Sequence, residues 1–366
     1  MTTMRSLRAA AITVAAWAST GAAFADTLRV PADHATIQAA VDAAQPGDVV
    51  LVSKGVYAES VLVSGKAGLV VRGRGRPVLR GGGGAAGLEI QGCDGVEVSG
   101  FEVDGGAIGV LVTGSTDVEL VKLFVHDVDG RGVRLLSSQG VLVEKCLVSD
   151  TGADAIAVGD SDGSSPSDDV KILRCRVERA GQDSVNVLAG TRVQVERCVV
   201  RDSDDDGVDV DDAAADVVVT RCKVYGGADA FEVGAPGTLV SRCLARDAGS
   251  DGFDLEADGV QLDRCVAVRA GDDGIELERG EGCRVTRCKV KGAGRDGVWV
   301  AASGNAFERV QVVGAADDGV HVEAGATGNT FTRCSAKKSG ALDLRDEAGP
   351  GETTYDRCKF PTSNLP

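Results

Sequence analysis

Apolar residues along this chain fall in short alternating runs separated by polar, glycine-punctuated turns. A typical stretch reads Val195-Glu196-Arg197-Cys198-Val199-Val200, a polar turn, Asp206-Gly207-Val208-Asp209-Val210, and another turn. The alternation is that of strands, and the runs are too short for helices. The same order returns every 22 to 24 residues over most of the chain, which marks a solenoid. Three short strands and three turns fill one such period, so each unit is expected to form one coil of a parallel β-helix.

The cysteines sharpen the register. Nine of the 11, Cys146, Cys175, Cys198, Cys222, Cys243, Cys265, Cys288, Cys334 and Cys358, share one slot, and extending it places Val310, Leu123, Phe101 and Leu79 there too. A slot that takes Phe, Leu, Val or Cys is apolar and interior, so buried free thiols are expected rather than bridges or metal ligands. Cys93 and Cys283 lie outside the column. The slots from Leu79 to Cys358 give about 13 coils, which at ~4.8 Å per coil make a rod on the order of 60 Å long.

The ends depart from the repeat. Thr36 to Ala44 has a capping residue and apolar positions at helical spacing before Pro46-Gly47, so a helical cap is expected over about 35–45. Residues 340–366, with Pro350, Pro361 and Pro366, are the expected C-terminal cap. Residues 1–25 have the charged, apolar, small-residue order of a secretory signal, with Arg5, Arg8 and Ala23-Phe24-Ala25. The expectation is a secreted or periplasmic protein whose residues 26–366 form a single domain and act as a monomer. No later run is long enough for a membrane span, and no lipid-anchor signal is present.

Composition narrows the class further. Fifty glycines and only 4% aromatic residues suit a thin interior, while 43% hydrophobic residues are too many for a disordered chain. Fifty-five acidic against 39 basic residues argue against a nucleic-acid partner.

The run Ala35-Thr36-Ile37-Gln38-Ala39-Ala40-Val41-Asp42-Ala43-Ala44-Gln45-Pro46-Gly47-Asp48, followed by Val49-Val50-Leu51-Val52 and Gly55-Val56-Tyr57, resembles the entry segment of the pectin-lyase-like β-helix superfamily. With the downstream Gly-Val-x-Val units, the resemblance covers nearly all of residues 26–366. It implies an all-β, single-stranded right-handed parallel β-helix with an N-terminal capping helix, and often work on acidic polysaccharides. It leaves activity open, because the fold also serves lyases, hydrolases, epimerases and adhesins.

Repetition separates scaffold from candidate site, since a catalytic residue is needed once. The turn aspartates Asp154, Asp183, Asp206, Asp229, Asp251, Asp273, Asp296 and Asp318 recur in eight successive units and are expected to bond turn amides. A basic column from Lys145 and Arg174 to Arg333 and Arg357 precedes the interior slot; it reads as a solvated stripe paired to acids or as a track for an anionic polymer.

Three residues after each turn aspartate, an outward column reads Ala157, Asn186, Asp209, Glu232, Asp254, Glu276, Trp299, His321. Two residues further on, Asp211, Glu256, Glu278 and Glu323 add a partial second column. Carboxylates ~4.8 Å apart repel, so either water and salt screen them or a cation sits between coils. Calcium, with oxygen ligands at ~2.4 Å, suits Asp209, Asp211, Glu232, Asp254, Glu256, Glu276 and Glu278. Because Asp209 follows Arg197 by half a coil, the acidic and basic columns should occupy separate faces.

Two features break the repeat. Trp299, expected to point outward, is a candidate sugar platform, with His321 and the carboxylates of Glu276 and Glu323 as acid/base groups. The long step between Cys146 and Cys175 contains the acidic loop Gly159-Asp160-Ser161-Asp162-Gly163-Ser164-Ser165-Pro166, a candidate groove border or calcium loop. In addition, Gly207-Val208-Asp209-Val210-Asp211-Asp212 resembles the Asp-Pro-His-Asp segment of mannuronan epimerases. Asp209 and Asp212 match its aspartates, but Val210 and Asp211 replace the proline and histidine. Asp272-Asp273 resembles the paired aspartates of polygalacturonases, whose Gly-His-Gly and Arg-Ile-Lys signatures are absent.

Three readings remain open. The first is a polysaccharide-binding protein, using Trp299, Asp209, Asp212, Glu232 and Asp254 with or without calcium and no assigned catalytic step. The second is a lyase, hydrolase or epimerase of a uronic-acid polymer, and the third a structural or adhesive surface protein.

Overall fold

The computed structural model describes residues 25–81, 85–349 and 351–365, so the expected leader lies outside the described residues except for Ala25. Each coil runs through three parallel sheets in turn. Sheet A has 15 strands, from Thr27–Val30 to Thr354–Asp356; sheet B has 13, from Val56–Tyr57 to Ser335–Lys337; sheet C has 13, from Val61–Ser64 to Arg345–Asp346. The coil read from sequence runs from Gln194–Glu196 in sheet A through Val199–Arg201 in sheet B to Val208–Val210 in sheet C. Successive coils stack like on like, with Val195 beside Val219, Val200 beside Val224 and Val210 beside Val233.

Strand alternation sends these valines inward, where they are essentially inaccessible. Burying one contributes about 1.5 kcal/mol or more, and a column of β-branched side chains suits stacked strands. Among the described residues all eleven cysteines are unpaired, and all but Cys358 are buried. Their thiols also have weak acceptors that valine would leave idle: Cys198 Sγ lies 3.5 Å from the Ile172 carbonyl and 3.6 Å from that of Glu196. Cys93 and Cys283 begin separate interior ladders. The Cys93 N–H donates to Ser115 Oγ at 3.1 Å, and the Cys283 N–H to Asn305 Oδ1 at 2.8 Å.

The basic column occupies the corner between sheets A and B. There the backbone is left-handed, with φ from 54° at Arg333 to 57° at Arg197, Arg221 and Arg242. A side chain in that region costs ~1 kcal/mol. Several corner arginines lean toward acids of sheet A, including Arg174 to Glu144 at 2.9 Å and Arg221 to Glu196 at 2.8 Å. These pairs are exposed and worth little individually.

Five of the eight turn aspartates are followed by glycine, Gly207, Gly252, Gly274, Gly297 and Gly319, while Ala155, Ser184 and Ala230 hold the same place in the other coils. A Cβ on Gly297 would lie 2.1 Å from Val312 Cγ1 and 2.5 Å from the Gly319 carbonyl oxygen, and Gly207 and Gly274 meet the same obstruction. In these coils the approach of the facing valine and the next coil's carbonyl leaves no room for a Cβ as the chain enters sheet C.

A helix over Ile37–Ala43 lies against sheets A and C at the N-terminal end, burying Ile37, Ala40 and Val41. Thr36 Oγ1 accepts from the Ala39 N–H at 3.1 Å, and the Glu59 carboxylate from the Ile37 and Gln38 N–H groups at 2.8 and 3.0 Å. Its free amides are thus satisfied on both sides. At the other end Phe307, Phe331 and Tyr355 stack at 4.4 and 5.3 Å, and Phe360 meets Tyr355 edge-on at 5.9 Å. No helix among the described residues is long and apolar enough to cross a membrane.

Candidate functional site

Sheet C carries the acidic column in register: Asn186, Asp209, Glu232, Asp254, Glu276, Trp299 and His321 lie side by side on successive strands. The basic corners lie on the opposite side of sheet B, so the two columns occupy separate faces. The acids are less exposed than alternation alone suggests. Burial, reinforced by Asp211 and Glu232, pushes Asp209 up to about 9. Burial with Glu276 and Glu256 does the same to Asp254, also about 9. Glu276 rises to about 8 through burial and the charges of Asp251 and Asp273, and Glu232 is raised chiefly by burial. Bulk water therefore screens this row poorly.

The turn aspartates form a second, deeper row. From Asp183 to Asp318 each carboxylate bonds the next coil's amide rather than one in its own turn: Asp206 Oδ1 accepts from the Asp229 N–H at 2.7 Å, Asp251 from Asp273 at 2.6 Å and Asp273 from Asp296 at 2.7 Å, whereas Asp154 accepts from Arg131 Nε at 2.7 Å. This ladder clamps neighbouring coils together and fixes one oxygen of each carboxylate. The other oxygen faces the acidic column. Burial foremost raises Asp206 and Asp273 to about 7.

The two rows meet where the column residue is long enough to fold back. Asp206, Asp229 and Glu232 each bring an oxygen within 4.8 Å of the others, as do Asp251, Asp273 and Glu276. In the second cluster Asp273 Oδ2 is buried without a hydrogen-bond partner, and Asp273 is fully inaccessible. An all-oxygen donor set around an orphaned carboxylate oxygen fits a hard divalent cation. Sequence reading placed Glu232 and Glu276 on the face but missed the ladder partners. The available signal was the three-residue spacing from Asp229 to Glu232 and from Asp273 to Glu276.

Beside the first cluster Asp209, Asp211, Asp212, Glu232, Glu256 and Arg279 line an open groove of about 270 Å³. Glu256 is ion-paired with Arg279 at 2.5 Å, and Glu278 lies 3.4 Å from the same guanidinium. The second acidic column is thereby partly neutralised. The epimerase-like residues Asp209, Asp211 and Asp212 share this groove. Of the polygalacturonase-like pair, Asp272 bonds Arg295 at 3.0 Å and Asp273 belongs to the ladder.

Trp299 and His321 are half-buried neighbours. The Trp299 indole N–H donates to Glu323 Oε1 at 3.1 Å, bringing those candidates together. His321 is not free in solvent as its outward register suggests: Nδ1 lies 3.0 Å from Asp296 Oδ2, its side chain is 17% exposed, and Nε2 is buried without a partner. The Asp296 hydrogen bond raises its pKa and favours imidazolium over the neutral ring expected for a base. The acidic loop folds back on sheet C through an Asp160–Arg134 ion pair, and Asp162 Oδ1 accepts from the Ser164 N–H at 2.9 Å. Its aspartates thus have local partners.

The family description "Right handed beta helix region" matches residues 79–224, 163–308 and 206–360. Among solved structures, the N-terminal fragment of gene product 12 of bacteriophage Phi29 is similar at 13% identity, with a TM-score of 0.71 over 89% of this chain and 68% of that one. The catalytic domain of a GH87 alpha-1,3-glucanase in complex with nigerose is similar at 13% identity, with a TM-score of 0.57 over 93% of this chain and 69% of that one. At this identity the likeness is one of fold. No curated protein matches the chain.

Proposed function

The chain belongs to the right-handed β-helix family, and from that premise we propose that it binds a polysaccharide along sheet C, with a divalent cation such as calcium held between coils. The observation that carries this reading is the stacking of Asp209, Glu232, Asp254 and Glu276 on four successive strands beside an open groove. Placing four carboxylates at strand spacing in a poorly hydrated row raises their proton affinity, and a cation relieves the same repulsion. Asp251, Asp273 and Glu276 would hold it. Trp299 at the end of the row offers an apolar ring to a sugar face. A β-helix glucanase domain that holds nigerose gives the reading a precedent in fold.

A hydrolytic reading has one observation in its favour. Glu276, at about 8, keeps its proton at neutral pH next to Trp299, as a general acid requires. A glycan array probed with and without calcium tests the primary reading. Calcium-dependent retention that is lost in Asp254→Asn/Glu276→Gln supports it, and retention of no glycan under either condition removes it. Product release from a retained glycan, abolished by Glu276→Gln, would move the assignment to the hydrolase.

A further inference from the structure

We propose that the outward face of sheet B is a second, cation-independent docking surface for an anionic, carboxylated polysaccharide. From Val199–Arg201 to Ser335–Lys337 seven consecutive strands present their outer positions on this face. Six of these positions are basic, Arg201, Lys223, Arg246, Lys289, Lys291 and Lys337, and none is acidic. In a chain with 55 acidic against 39 basic residues this is a sharp segregation of charge.

None of the six has a carboxylate within ion-pair distance among the described residues, unlike many of the corner arginines beside them. The acids at the far rim do not neutralise the track: Asp247 is held by Arg269 at 2.6 Å, and Asp202 lies at the corner leading away to sheet C. Lys338 at the same corner offsets Asp202, so the rim carries no net charge.

The remaining outer positions are mostly Val and Leu, with Tyr225, whose ring lies 4.3 Å from the Arg201 guanidinium carbon. Cations interleaved with apolar and aromatic surface match a polymer with anionic substituents on apolar sugar faces. Seven strands at ~4.8 Å give a track on the order of 30 Å along the rod. Near its C-terminal end the surface deepens to a groove of about 360 Å³, lined by Lys289, Gln311, Val313, Ser335, Lys337 and Lys359. The column of sheet C from Asp209 to Glu276 offers the same polymer carboxyl groups and no cation of its own, so in a chelator the charge of the ligand selects sheet B.

The inference shares with the proposed function only a polysaccharide partner, and it uses different residues and opposite charge. The test is retention of sodium polygalacturonate by the full chain in EDTA at low ionic strength, with dextran as a neutral control. Expected are retention of polygalacturonate and not dextran, a fall of tenfold or more between 50 and 200 mM sodium chloride, and a tenfold or greater loss in Lys289→Glu/Lys291→Glu/Lys337→Glu. Asp254→Asn/Glu276→Gln should bind as the parent does. No retention in EDTA, equal retention of dextran, or an unaffected triple variant with unchanged melting temperature overturns the inference. Tighter retention of a DNA duplex or of phosphatidylglycerol vesicles overturns the polysaccharide assignment. Calcium-dependent binding that survives the triple variant leaves the proposed function standing while this inference fails.

Discussion

Asp273→Asn separates the electrostatic account of sheet C from a purely geometric one. Asp273 is fully inaccessible, its Oδ1 accepts from the Asp296 N–H at 2.7 Å, and its Oδ2 has no partner. Burial is the main cause that moves its carboxyl from 3.8 to about 7. A folded pKa above the unfolded one means that the native state holds the proton more tightly. The stabilisation is complete below pH ~4, falls as pH rises toward 7, and is gone above it. Three pKa steps at ~1.36 kcal/mol each set a ceiling of about 4 kcal/mol on the loss. Asparagine keeps the acceptor for the Asp296 N–H, never ionises, and turns an amide toward the oxygens of Asp251 and Glu276. In EDTA the variant should match the parent at pH 4 and exceed it at pH 8 by several kcal/mol, up to that ceiling, as read from urea unfolding at both pH values. Millimolar calcium at pH 8 should then raise the parent's midpoint but not the variant's, whereas sodium at equal ionic strength should raise neither. A parent whose stability in EDTA is flat from pH 4 to 8, or a variant that loses stability in parallel with it, would refute the argument.

Three further outcomes follow from the geometry. Gly297→Ala, whose Cβ would meet Val312 and Gly319 at 2.1 and 2.5 Å, should cost about 2–4 kcal/mol in thermal or urea unfolding; a neutral result would contradict the packing reason for the repeated Asp-Gly. Alkylation after denaturation should find every cysteine reduced. In the folded protein Cys358 should react first, because it is the least buried and its hydrogen bond with Cys334 lowers its thiol to about 7; several defined bridges by mass spectrometry would overturn the interior column. His321→Ala should lower the melting temperature at pH 6 and less so at pH 8, because the Asp296 pairing raises the imidazole pKa; that contribution is complete below 6.5 and disappears as pH rises through the folded value. An unchanged melting temperature at pH 6 would show the pairing to be idle.

The repeat was legible because its signal is local: Val195, Cys198, Val200, Val208 and Val210 carry the alternation within one coil, and the slot shared by cysteine with Phe101, Leu123 and Val310 supplies the period. The helix cap was legible for the same reason, through Thr36 and the apolar spacing behind it. What lay hidden is the interaction between coils. Asp251 and Asp273 stand 22 residues apart, and nothing in either neighbourhood says that one accepts the other's amide at 2.6 Å.

Alternation also tells inside from outside in only two grades. Asp254 alternates outward, yet the glutamates beside it and the ladder beneath it remove most of its water, which is why its carboxyl stands near 9. The same limit hid the basic face. The arginines beside each cysteine formed a conspicuous sequence column, but several of them are paired with sheet A acids such as Glu196 and Asp263. Lys223, Lys289 and Lys337, each flanking an interior valine or alanine, look unremarkable in sequence. They become one surface only when the coils are stacked and the neighbouring outer positions prove to contain no acid. Electrostatic function on a solenoid therefore depends on the column as much as on the motif, because a ~22-residue coil brings distant charges within one strand spacing, ~4.8 Å.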